Sequence, residues 1–459
     1  MGGSRRKKPQ SFLGTPATAP GPLGPQMFRA FSVIRRNPLE YLVSAWREFG
    51  DVVQFPIPRP PTYLVNDPDG VRRVLVGNGR NYGKSTIQYR SLSLVTGEGL
   101  LVADTPAWRH QRPLVQPAFH HETLEHIVGH VDIAVQRMFA RWDALPPASV
   151  VDMDAAMMHG ALEVVGHALF GTDLSADADR LATATLSALD VVIARARVPI
   201  TPPAWVPTPA NRKLQSAVRE LDGAVGRMMD ERRQHPAEVP ADMLDLLMGS
   251  RDDTGAGLTV TEIRDQVVTF IVAGHETVAS ALTWSWALLA HNPQVQRDLQ
   301  AESDAVLGGR PATFADYGRL PFARAVFDEA LRLYPPAWLI TRKAHEADVL
   351  GGHEVPAGSL IILSPWLLHR HPALWSDPGE FRPSRFLDGE ADRSALIPFG
   401  AGLRQCIGRD FAYVEGVLML SSIAGSFAVE YPDGGGLPRA EPLVTVRPVG
   451  GLPLCVTRR

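Results

Sequence analysis

The sequence predicts a mainly α fold with small β-sheets, an α+β arrangement in one large domain. Three observations carry that expectation. Helical periodicity dominates residues 105 to about 334. Short runs rich in β-branched and aromatic residues flank that block on both sides. No internal repeat or low-complexity tract divides the chain after its opening segment. Length alone, 459 residues, would allow two or three domains. A helical middle between β-rich ends suits one domain better. The net charge of −3 carries no global signal for nucleic acid. No run of 18 apolar residues escapes charge or proline, so no transmembrane anchor is expected. Two cysteines, Cys406 and Cys455, exclude a disulfide framework and fit a reducing, cytoplasmic setting.

In chain order, residues 1–26 read as a disordered, basic and Pro/Gly-rich leader, and residues 27–459 as the domain. Ser4 to Lys8 is basic, but Gly14 to Pro25 has no apolar h-region, so export is not expected. A helix is expected from Asn37 to Glu48, then short strands at Val52 to Phe55 and Thr62 to Val65. The prolines from Pro56 to Pro61 interrupt the hairpin between them. Residues 84–104 read as a loop around Gly97 and Gly99. The helical block has breaks at Val198 to Pro209 and Gly249 to Gly257.

Thr259-Val260-Thr261-Glu262 is a capping box that opens the longest helix, and Pro293 closes it. At 1.5 Å per residue it spans roughly 45 Å. Its centre reads Ala273-Gly274-His275-Glu276-Thr277. Glycine there costs about 1 kcal/mol against alanine. One reason would be room beside Ala273 and Gly274 for a flat group. The Thr277 hydroxyl is expected to bond back to the Ala273 carbonyl. The residues alone allow two readings: a small-residue crossing between helices, or a carboxyl–hydroxyl pair that relays protons. Position 279 is alanine, so His275-Glu276 is no zinc motif.

Glu329-Ala330-Leu331-Arg332 places opposite charges at i, i+3 on a helix that ends at Tyr334-Pro335-Pro336. From 338 to 400 the chain turns rich in loops and strands and includes Phe381-Arg382-Pro383-Ser384-Arg385-Phe386. Then comes Phe399-Gly400-Ala401-Gly402-Leu403-Arg404-Gln405-Cys406-Ile407-Gly408. Gly400 and Gly402 suit positive φ or close approach to a plane. A helix of about 20 residues follows, which would put Cys406 at a helix N-terminus, where free N–H groups favour the thiolate. Alone, this is either a structural cysteine beside a turn or a thiolate ligand for a metal.

Together these segments resemble the cytochrome P450 family. Residues 399–408 match F-x-x-G-x-R-x-C-x-G, and 273–277 match A-G-x-[DE]-T. Glu329 and Arg332 match E-x-x-R, residues 381–386 match F-x-P-x-R-F, and Trp108 with Arg112 matches W-x-x-x-R. The matches run in the family's order; the one clear departure is Ser384, where many members carry glutamate. The resemblance implies the P450 fold and haem b, with Cys406 as the axial ligand of the iron. It implies that Phe399, Gly400 and Gly408 shape the loop against the haem, and that Trp108, Arg112, Arg342 and Arg404 meet its propionates. It makes Glu329, Arg332 and Arg385 a structural triad, and gives proton delivery to Glu276 and Thr277. Phe270, Ala273, Trp338, Leu339 and Ile340 would line a pocket for a lipophilic substrate such as a terpenoid, fatty acid or polyketide.

The implied activity is that of a soluble bacterial monooxygenase of secondary metabolism: RH, O2, two electrons and two protons give ROH and water. The chain ends soon after Cys406, so electrons are expected from a separate ferredoxin or flavodoxin-type donor with its reductase. Arg109, Arg404 and Arg409 would dock that donor. Rival readings are a haem-thiolate peroxygenase or isomerase, and a non-catalytic haem-binding sensor. The Glu276-Thr277 pair weighs against the first, and no output domain is visible for the second.

Overall fold

The computed structural model describes residues 17–56, 61–171, 178–196, 202–236, 242–252 and 254–459. Its centre is the long helix Val260–His291, whose N-cap Thr259 and Glu262 form the expected reciprocal capping box. Trp284 and Trp286 on it are fully buried. Among the described residues it is the one helix long and apolar enough to cross a membrane, and it lies within the core. The helix Met153–Phe170 packs along it. There the expected role of Gly274 changes. A Cβ at Gly274 would lie 3.0 Å from the Val165 side chain, so this glycine lets two helices approach. It does not open space for a flat group.

The largest sheet has spatial order Val52–Phe55, Thr62–Val65, Leu360–Leu363, Ile340–Ala344 and Tyr82–Gly83. Thr62–Val65 and Leu360–Leu363 run parallel; the other neighbours run antiparallel. Residues 340–344, just after the ion-pair helix Pro321–Leu333, thus return beside the N-terminal strands. A smaller hairpin near the C-terminus pairs Ala440–Pro442 with Val446–Pro448. It reaches the long helix through the Val446 carbonyl, which accepts from Ser280 Oγ at 2.7 Å and Trp284 Nε1 at 2.8 Å.

Two sequence expectations need revision. The expected leader ends earlier than residue 26: Ala19 is buried, Gln54 N–H donates to the Pro20 carbonyl, and a helix opens at Gly24. Residues 1–16, and most of the Pro56 to Pro61 break, lie outside the described residues. Residues 84–104 are not all loop, because Ile87–Thr96 is helical. That helix lacks a side-chain cap at Thr86. The segment around it is latched to the long helix: Glu98 N–H donates to Asp265 at 2.8 Å and Leu100 N–H to Gln266 at 3.0 Å.

Candidate active site

The cysteine loop is shaped by its glycines. Gly400 and Gly402 have φ of 67° and 68°. A Cβ on Gly402 would also meet the Leu75 carbonyl at 2.0 Å. Cys406 N–H closes the loop on the Phe399 carbonyl at 2.9 Å. The following helix is Arg409–Ser426 with Gly408 as its N-cap, so Cys406 precedes the helix and does not open it. Burial pushes the Cys406 thiol up, against the Gly408 backbone N–H and the charges of Arg112, Lys84 and Arg409. The Gly408 N–H favours the thiolate, as expected, and burial outweighs it. The Cys406 side chain is accessible, although protein atoms surround it closely.

Close to Cys406, or to one another, stand Lys84, Arg112, Arg342 and Arg404. Lys84 is buried, donates to the Leu101 carbonyl at 2.6 Å and sits 4.9 Å above the Tyr89 ring. Burial and the charges of Arg342 and Arg404 hold its ammonium well below the usual lysine range; Cys406 and Asp104 act the other way. Arg342 donates to Tyr89 OH at 3.2 Å. Arg404 lies over the Trp108 ring at 4.3 Å and donates to the Ala103 carbonyl at 2.9 Å. Burial first, then Arg342, pulls its guanidinium down to about 10. Arg112 donates to the Gln405 carbonyl at 3.2 Å. Trp108 and Arg112 thus frame the loop separately, with Arg404 on the tryptophan. Arg404 points inward, and of the expected surface patch Arg109 and Arg409 remain on the outside.

Crowded cations of this kind repel one another unless an anion joins them. A flat macrocycle that carries two carboxylates and needs one axial thiolate fits this donor set. Haem b has that chemistry, and these residues suit it.

Behind the loop lies a fully connected ion network. The Arg332 Nε and Nη2 grip the two Glu329 oxygens at 2.7 and 2.8 Å. Its remaining N–H groups go to the carbonyls of His369, Pro378 and Glu380 at 2.8–2.9 Å. Glu329 also accepts from Arg385 Nε at 3.1 Å and Arg382 N–H at 2.9 Å. Glu329, Arg332 and Arg385 are all buried. His369, which sequence reasoning missed, carries this network to the loop. Its Nδ1–H donates to the Arg332 carbonyl at 3.2 Å, and its Nε2 accepts from Ile397 N–H at 2.9 Å. Burial, then Arg332 and Arg370, holds the ring neutral, with its pKa near about 3. Ile397 lies two residues before Phe399.

On the long helix the acid and the alcohol part company. Thr277 Oγ1 donates to the Ala273 carbonyl at 2.8 Å, as expected. Glu276 is buried and accepts from Thr445 Oγ1 in the C-terminal hairpin at 3.0 Å. Its other oxygen has no partner. Burial pushes its carboxyl up to about 7, and the Arg447 charge and the Thr445 hydroxyl restrain that rise. Of the expected pocket residues, Phe270 meets the Phe119 ring edge at 5.6 Å, and Trp338 Nε1 donates to the Leu443 carbonyl at 2.9 Å. Phe270, Trp338 and Ile340 are buried; Ala273 and Leu339 are partly exposed. Sequence reasoning missed Lys84, Tyr89, His369, Thr445 and Arg447.

A family description, cytochrome P450, matches residues 19–455. Cyclooctatin synthase of Streptomyces melanosporofaciens is 37% identical over 430 residues, 92% of each chain. Cyclooctat-9-en-7-ol 5-monooxygenase of the same organism is 35% identical over 89% of this chain and 88% of its own. Pentalenene oxygenase of Streptomyces avermitilis is 33% identical over 94% of this chain and 93% of its own. With the fold, the donor set and these relatives in hand, the chain belongs to the cytochrome P450 family and is a haem b monooxygenase.

Proposed function

We propose that this monooxygenase inserts one oxygen atom into a terpenoid-like lipophilic substrate, with Cys406 as the iron ligand. The carrying observation is the cluster in which Lys84 and Arg112 act on Cys406, and Arg342 and Arg404 act on Lys84. Bound haem b supplies the activation of O2. The protein's own residues do the rest. Lys84, Arg112, Arg342 and Arg404 hold the propionates, and Phe399 covers the loop beside Cys406. Thr277 offers a hydroxyl from a partly exposed helix position. Glu276, poised near neutrality, holds the proton that the reaction draws on. Phe270, Trp338 and Ile340 exclude water and favour apolar ligands.

The relatives' names print an alkenol and pentalenene, which weigh toward a terpenoid over a fatty acid or polyketide. Electrons come from a separate ferredoxin or flavodoxin-type protein that meets the exposed Arg109 and Arg409. A cytoplasmic role in secondary metabolism accords with this. The test is a spectral binding screen of the ferric protein against polycyclic alkenes and alkenols, followed by turnover with a surrogate ferredoxin, its reductase and O2. A low-to-high-spin shift with a hydroxylated product is expected. Product from hydrogen peroxide alone, never from reductase and O2, overturns the monooxygenase reading of the site. An imidazole-type carbon monoxide band overturns Cys406 as ligand.

A further inference from the structure

The C-terminal hairpin carries polar groups that the chemistry above does not use. Thr445 binds Glu276. Arg447, two residues later, donates through Nη2 to Asp154 Oδ2 at 2.6 Å. Its Nη1 has a far poorer partner, the Met158 sulfur at 3.2 Å. Asp154 Oδ1 accepts from Thr283 on the long helix at 3.1 Å. The Asp154 side chain is 14% exposed, so the pair reaches the edge of the solvent. Inward of it, Glu276 keeps one buried oxygen bare. A buried polar atom without a partner is destabilising. A carboxyl held by one hydroxyl, beside a guanidinium with a weakly used arm, has a second arrangement within reach.

We infer that Thr445 and the Arg447–Asp154 pair are positioning residues that set when Glu276 holds and when it releases its proton. In the arrangement seen, Asp154 occupies Arg447, and the neutral carboxyl rests on Thr445. When Glu276 gives its proton toward the Thr277 side, the carboxylate gains a partner if Arg447 turns its free arm inward. A proton from solvent, entering past Asp154, restores the carboxyl and returns Arg447 to Asp154. One proton leaves and one arrives, and no electron is moved.

The other charges around Glu276 fit this scheme. Asp190 acts from the helix Ala178–Ala196 and is itself paired with Lys213 at 3.3 Å. Glu441 stands opposite Arg447 in the hairpin register. His275 is buried, its Nδ1 is engaged by the Ile271 carbonyl, and its Nε2 has no partner. Burial, aided by Arg447, lowers its pKa to about 4, so the ring is uncharged at neutral pH and keeps its one N–H on the Ile271 carbonyl. The carboxyl is then the titrating group in this cluster that lies next to Thr277.

This inference rests on Glu276 being the proton-delivering carboxyl, and the test separates the two. Infrared difference titration of the ferric haem-loaded protein reads the carboxyl C=O band; Glu276→Gln assigns it. The same variants are assayed for solvent isotope effect and for product formed per reductant consumed, across pH. Thr445→Val removes a hydrogen bond to the ionised form, so the band's midpoint moves up by about one pH unit. Asp154→Asn frees Arg447 for Glu276, so the midpoint moves down by at least about one unit. The alkaline limb of the coupling profile follows each shift. Shifts of opposite sign are the expected signature, which loosening of the fold does not produce. Midpoints that stay put, or move the same way, overturn the inference while Glu276→Gln still uncouples. Glu276→Gln with wild-type coupling and isotope effect overturns the proton-delivery reading itself.

Discussion

Two buried ionic clusters of this molecule are built to opposite rules. Behind the cysteine loop, every N–H of the Arg332 guanidinium has an acceptor and both Glu329 oxygens are engaged. On the long helix, Glu276 has one hydroxyl partner and a bare oxygen, and Arg447 spends one arm on a thioether. A saturated network has one arrangement. An unsaturated one keeps alternatives close in energy. Under the proposed function, the first kind suits holding a ligand in place, and the second suits passing protons.

The strongest way to break this contrast is to damage the saturated side. Removing one member of a buried pair typically costs 3–5 kcal/mol, because the partner's charge stays buried. Glu329→Ala leaves Arg332 and Arg385 uncompensated, so the protein is expected to be recovered without haem or not at all. The haem-to-protein absorbance ratio after expression with added haem precursor checks this. Full haem content in that variant contradicts the claim. His369→Leu tests the link between network and loop. It leaves Ile397 N–H without its acceptor and should lower thermal stability by about 1–3 kcal/mol.

Next in size is the cationic cluster. Lys84→Met keeps the buried stem and removes the charge. A charge-assisted hydrogen bond is worth about 1.5–3 kcal/mol, which is tenfold or more in affinity. Haem transfer to excess apomyoglobin should therefore run roughly tenfold faster than from the wild type. An unchanged transfer rate would remove Lys84 from the propionate set.

The unsaturated side announces itself in pH. Glu276 is raised from about 4.5 to about 7 by burial, so between those values the folded protein holds a proton that the unfolded chain has released. Its contribution is complete below about 4.5 and is lost as pH climbs through about 7. At 1.36 kcal/mol per unit the loss is on the order of 3 kcal/mol. Denaturant titrations across that window should show wild-type stability falling more steeply than that of Glu276→Gln. Parallel curves would mean that the carboxyl stays ionised throughout.

The saturated side was legible as letters. Glu329, Arg332 and Arg385 stand at motif spacings, and the helix and its proline stop were readable. Their burial followed only from the family resemblance, since an i, i+3 pair looks alike on a surface and in a core. The carbonyls of His369, Pro378 and Glu380 come from loops whose closure depends on the whole fold. Lys84 stayed hidden because a single lysine in an irregular segment carries no periodicity. Gly274 misled for a related reason: a glycine in a helix shows that something comes close, and only packing shows that it is Val165. Thr445 and Arg447 lie more than 150 residues from Glu276 in a tail without motif, and only the sheet register brings them to the long helix.

The smallest expected effect draws the sharpest line between the clusters. Thr283 Oγ1 gives Asp154 a hydrogen bond from the long helix, and Thr283→Val removes that donor while keeping the shape. A hydrogen bond to a partly exposed carboxylate is worth about 1 kcal/mol, so the melting temperature should fall by a few degrees at most. Haem content and transfer rate should not change, because among the described residues no hydrogen bond joins Asp154, Arg447 or Thr445 to the Glu329 network or the Lys84 cluster. The coupling of product to reductant should change, because Asp154 loses one of the contacts that fix it against Arg447. If haem retention falls along with coupling, the clusters are one mechanical unit and the division of labour between them fails.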